Sequence, residues 1–126
     1  RQMCIRDRYH MMIKKEGGQR GIFASVAPTL HGPWPEPSTE DFVNFEGNKM
    51  CEGVSAFQLV GDPTWRIAYI EYSSSPKHYR ICHADEYMKN FHSPADIIGV
   101  DSPQHGSFMR LTKEEYDRLE KHFGKQ

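Results

Sequence analysis

The chain carries almost no net charge: 16 Lys and Arg stand against 17 Asp and Glu. A balance of −1 gives no field to gather nucleic acid or an acidic membrane surface. No apolar run approaches the length of a membrane-spanning helix. Neither nucleic acid nor a membrane is therefore expected as a partner. Cysteine is scarce, with Cys4, Cys51 and Cys82 far apart and none in C-x-x-C spacing, which argues against a zinc ribbon or a dithiol redox motif. The seven histidines include no H-x-x-x-H pair, so a zinc site of that kind is not expected. There is no phosphate-cradling glycine loop; Gly17-Gly18 reads as hairpin turn chemistry.

What is present is one domain's worth of polar, aromatic-rich chain. The 126 residues suffice for a single domain. A content of 37% hydrophobic and 26% charged residues places the chain among globular proteins rather than disordered ones. Fifteen aromatics (7 Phe, 6 Tyr, 2 Trp) favour strands and also suit sugar-binding surfaces. The chain opens on Arg1, and residues 1–8, RQMCIRDR, resemble a translated sequencing-adapter remnant. They are set aside as a non-native N-terminal artefact, and the fold is read from residues 9–126.

The pattern there is all-β. Tyr9 to Lys14 and Gly21 to Ala27, joined by a Gly-rich turn, read as a hairpin. Pro28 to Asp41 holds four of the eight prolines and reads as loop, with Trp34 anchoring it to the sheet. Val54 to Val60, Trp65 to Tyr72 and His78 to His83 follow as strands, separated by Gly61-Asp62-Pro63 and a Ser-Pro break. Strands recurring every 8–12 residues with turn signals between them mark a sandwich, barrel or propeller. Trp65 to Tyr72 is apolar on both faces, as in a sheet packed between two neighbours. Asp85 to Phe91 predicts a short helical turn, Ala95 to Val100 an edge strand, and Gly106 to Leu111 a further strand. Thr112 and Glu115 form a capping box that opens one C-terminal helix, with Tyr116, Leu119 and Phe123 on one face.

Three segments carry a resemblance: Leu30-His31-Gly32-Pro33-Trp34; Glu52 to Leu59 with Gly61-Asp62 and the aromatic strand after it; and Ser102 to Ser107 followed by Leu111 to Tyr116. In this order they are similar to the C-terminal half of glycoside hydrolase family 43, over about residues 9–120. That family implies a five-bladed β-propeller of four-stranded antiparallel blades, here a partial one with a short C-terminal helix. It implies cleavage of arabinose- or xylose-containing plant oligosaccharide or polysaccharide, by a secreted or periplasmic enzyme. Where the family has Glu-Gly-Pro this chain has Glu52-Gly53-Val54, so Glu52 inherits the role of catalytic general acid. Where it has Arg-His-Gly the chain has Gln104-His105-Gly106, so His105 inherits an axial position that binds substrate and, in some members, a structural calcium ion.

Inverting hydrolysis needs two carboxyl groups about 6.5–9.5 Å apart, one donating a proton and one activating water. By the resemblance, the base and a pKa-tuning Asp lie upstream of the matched stretch, so the chain alone is expected to be inactive. His10 is a further substrate-binding candidate, or a half-buried strand residue. Trp34 is a sugar-stacking platform or a packing aromatic, whereas Trp65 reads as packing. His105 also reads as a hydrogen-bonded core residue, since calcium prefers oxygen ligands. Asp85 and Asp101 read as turn and cap residues. Two rival readings remain: a non-catalytic carbohydrate-binding propeller, favoured by Val54 in place of Pro, and a self-contained small β-domain.

Overall fold

The computed structural model describes residues 2–5 (backbone), 7–18, 21–36, 38, 43, 50–73, 75–97 and 104–124. Within them β1 (Gln2–Ile5), β2 (Arg8–Lys15) and β3 (Gly21–Ala27) form one antiparallel sheet in the order β1-β2-β3. A second antiparallel sheet is a meander of β4 (Cys51–Gln58), β5 (Trp65–Glu71), β6 (His78–Ala84) and β7 (His92–Asp96). Helix α1 (Lys113–Phe123) follows. The protein is therefore mostly β, with two antiparallel sheets and one short helix. Residues 2–5, which the sequence reading set outside the fold, pair with β2 from Gln2↔Met11 to Ile5↔Arg8.

The period-2 rule explains which side chains meet. On β2, His10 and Met12 point inward, and Lys14 continues the same row at the strand end. From β3, Ile22 and Ala24 join that face, while β5 supplies Ile67 and Tyr69 and β6 supplies Cys82. Met88, from the turn after β6, completes this core between the sheets. Its apolar burial is the main favourable term holding the sheets together. The other face of β5 is buried too: Ala68 and Ile70 pack with Tyr79, Tyr72 and Ile97. Residues 105–108 cross that side of the sheet. The Tyr79 hydroxyl lies so close over Gly106 that no side chain fits there, and Phe108 stacks on Phe57 with ring centres 4.1 Å apart.

Several sequence expectations shift. The strand expected at Val54–Val60 begins at Cys51 and ends at Gln58. The edge strand lies at His92–Asp96 instead of starting at Ala95, and its Pro94 suits an edge; positions 98–100 of that expectation lie outside the described residues. Gly106–Leu111 is not a strand. This segment crosses the face of the second sheet from Gly53 to Tyr79 and Phe57, so its backbone meets side chains and has no strand edge to pair with. Asp85–Phe91 is a tight turn and not a helical one. The Asp85 carboxylate accepts from the backbone of Tyr87 and Lys89 and from Asn90 Nδ2, while Met88 and Asn90 take φ of 59° and 55°, outside helical space. Trp65 does pack against the core, as its strand position suggests.

The helix forms for local reasons. The Thr112 side chain accepts from the Glu115 backbone and Glu115 reaches back to the Thr112 N–H, the reciprocal capping box read from the sequence. Acidic Glu114 and Glu115 at its start and basic Lys121 and His122 at its end suit the helix dipole. None of its residues is buried.

Candidate active site at the Glu52 bulge

β4 and β5 pair regularly except between Glu52 and Ser55, where the register shifts in a β-bulge. Gly53 makes the bulge feasible: its φ of +66° is a left-handed conformation that a side chain resists. A Cβ at this position would also stand 3.1 Å from the His105 ring, which lies directly on the glycine. Bulges of this kind re-aim a neighbouring side chain. Here the neighbour is Glu52, whose side chain is about one-third exposed.

Two groups, Lys14 and His105, meet that carboxylate. Lys14 Nζ, at the end of β2, donates to Glu52 Oε2 at 2.7 Å and also contacts Glu16 at 2.6 Å. His105 Nε2 stands 4.0 Å from Glu52 Oε1. The Tyr72 ring lies 5.4 Å from the Lys14 ammonium. Hydrogen bonds to Glu16 and Glu52 hold the Lys14 ammonium well above its usual range, so it stays charged through neutral pH. A cavity of about 280 Å³ opens beside it, lined by Lys14, Lys15, Glu16, Met50, Cys51 and Tyr72.

The structure thus brings together two of the four residues singled out in the sequence, Glu52 and His105, and adds Lys14. The lysine was legible in principle: it continues the inward row of His10 and Met12 along a strand that the sequence predicted. The partner to which that row would bring it, on a strand 38 residues away, was not.

His10 is placed inside, 3% exposed, with Nδ1 lacking a hydrogen-bond partner among the described residues. Burial, and then the nearby Lys89, lower its pKa below the ordinary 6.5 against an opposing pull from Asp85. Trp34 is half-buried and folds back over Gly32, while the loop itself is tied to β3 by Ser25 Oγ donating to the Pro35 carbonyl at 2.8 Å. Neither is brought to Glu52 by any contact among the described residues.

A calcium ion at His105 finds few ligands there. The carboxylate nearest it is Glu52, already ion-paired with Lys14. Calcium takes six to eight oxygen ligands, and no group of three or more His, Cys, Asp or Glu able to hold a metal occurs among the described residues. No helix among the described residues is long and apolar enough to cross a membrane. No family model, curated protein or solved structure matches the chain.

Proposed function

We propose that this chain supplies the proton-donor part of a glycosidase acting on arabinose- or xylose-containing glycans, with Glu52 as the general acid. The observation that carries the reading is the Glu52–Gly53 bulge. A carboxylate is held at a strand irregularity by a glycine at positive φ, under the ring of His105 and beside a cavity. The resemblance to glycoside hydrolase family 43 singles out the same Glu and His. A four-stranded antiparallel meander, β4 to β7, is also what one blade of a propeller requires.

In this reading Glu52 donates its proton to the leaving oxygen while a second carboxylate, upstream of the matched stretch, activates water on the opposite face. His105 contacts the sugar from above Gly53. The Lys14 contact bears on the step directly. An ammonium bonded to Glu52 Oε2 uses that oxygen as an acceptor, so the proton to be donated sits on Oε1, the oxygen facing His105, unless the Lys14 bond opens when substrate binds.

The same contact favours a second reading, in which the site binds carbohydrate without cleaving it and Lys14 and Glu52 serve as a fixed donor–acceptor pair for sugar hydroxyls. The test is to express the complete gene product and its Glu52→Gln variant and assay both on nitrophenyl arabinofuranoside and xyloside. Turnover that falls about 10²–10⁴-fold in the variant supports the proton donor. A wild-type protein inert on these and on arabinan and xylan, yet binding the polymers, supports the second reading.

A further inference from the structure

We propose that His83 and His92 form a two-imidazole chelate for a divalent transition-metal ion of the Zn²⁺, Ni²⁺ or Cu²⁺ class. The site lies at the end of the second sheet near the turns 59–64 and 85–91, and it stands independently of the carbohydrate reading.

His83 and His92 are directly opposed partners on β6 and β7. Opposed residues in an antiparallel pair share a face, with Cβ atoms about 4.5–5.5 Å apart. Their rings are neighbours, with centres 5.6 Å apart and planes inclined by 29°. Two imidazoles bound to one ion through bonds of about 2.0–2.1 Å bring their ring centres to roughly 4.5–5 Å. Closing that gap takes rotation about χ2, a soft torsion in histidine, and His92 is exposed and has room to turn. His92 Nδ1 lies 3.0 Å from Ser93 Oγ, an outer contact that orients the ring and leaves Nε2 for an ion.

The surroundings suit a neutral-imidazole ligand. His83 is half-buried, and burial, then Arg66 and His92, lower its pKa against an opposing pull from Asp62. Arg66, the register partner of His83 on β5, would repel a cation if unmatched. Its guanidinium is instead bonded to Asp62 at 2.7 Å, and Asp62 is ionised at neutral pH, its pKa lowered to about 2 by Thr64 and Arg66. With two nitrogen donors and water completing the shell, the site selects borderline transition ions over Ca²⁺ or Mg²⁺, which take oxygen.

The test is a calorimetric titration of the 126-residue chain with Zn²⁺, repeated on His83→Gln and His92→Gln. Ni²⁺ is then added to the wild type, and the histidine ring signals are followed by NMR. Loss of either imidazole removes the chelate and is expected to weaken binding about 100-fold. The exposed His92→Gln change should leave the metal-free melting temperature unaltered, which separates loss of the site from loss of the fold. Ni²⁺ is expected to broaden the His83 and His92 signals first. Wild-type affinity in both variants, no Zn²⁺ binding, or first broadening at any other histidine would overturn the assignment.

Discussion

Strand β5 carries five apolar or aromatic side chains in seven residues and helix α1 three in eleven, and the two fare oppositely. Five of the seven residues of β5 are buried; none of the eleven in α1 is. Tyr69 is 2% exposed, whereas Tyr116, Leu119 and Phe123 on the apolar side of α1 are 49%, 44% and 67% exposed. The strand owes its conformation to ladder partners at both edges, β4 and β6, and to side chains packed on both faces. The helix owes its conformation to its own ends. Tertiary packing therefore holds the sheets, and local capping holds the helix.

The sharpest way to break the contrast is to truncate the centre of the strand. Tyr69→Ala is expected to cost about 3–5 kcal/mol, the range for removing a large buried aromatic, and urea unfolding would register it as a lower midpoint at unchanged slope. A change near 1 kcal/mol would mean that the inner face is far less packed than its burial indicates. Next in size is Gly53→Ala. The left-handed backbone alone is expected to cost about 1–2 kcal/mol, and the His105 ring must also give way. The His105 ring signals would report that displacement by NMR.

The buried His10 gives the first sheet a pH response between neutral and mildly acidic pH. Its folded pKa lies below the ordinary 6.5, so the unfolded chain takes up the proton first on acidification. Its contribution is fully present above about pH 6.5 and is lost as pH falls below that value toward the folded pKa. A His10→Gln variant should flatten stability between pH 7 and 5 relative to wild type, as followed by thermal unfolding. An unchanged slope would remove His10 from the pH response. Thr112→Ala should remove about 1 kcal/mol of helix stability, lowering far-UV helical signal while the melting temperature of the sheets stays put. Leu119→Ala is expected to stay within about 0.5 kcal/mol, as an exposed position does; a larger loss would mean that α1 has a covered face.

These two regions also differ in how much could be read from the sequence. The capping box at Thr112 and Glu115 is a local signature, and the helix begins where that signature places it. The hairpin of β2 and β3 and the meander from β4 to β6 follow from alternation and turn residues, which are also local. Gly106–Leu111 was misread because Phe108 stacks face-on against Phe57 and Gly106 lies under Tyr79, and sequence periodicity does not separate such packing from pairing. At the site, Glu52 and His105 were named from motif resemblance alone. The Lys14 ion pair joins β2 to β4, and no local pattern reports a contact across 38 residues. The His83–His92 pair was invisible for the same reason, since it depends on the register of β6 with β7.

The proton-donor role of Glu52 is tested most directly by its leaving-group dependence. A general acid matters most when the departing oxygen is basic and least when it leaves unaided. The measurement is kcat/KM of the complete gene product and its Glu52→Ala variant on an oligosaccharide and on the dinitrophenyl glycoside of the same sugar. A loss of about 10²–10⁴-fold on the oligosaccharide, with near wild-type rates on the dinitrophenyl glycoside, is the predicted result. Equal losses on both would contradict it and leave Glu52 as a binding residue paired with Lys14.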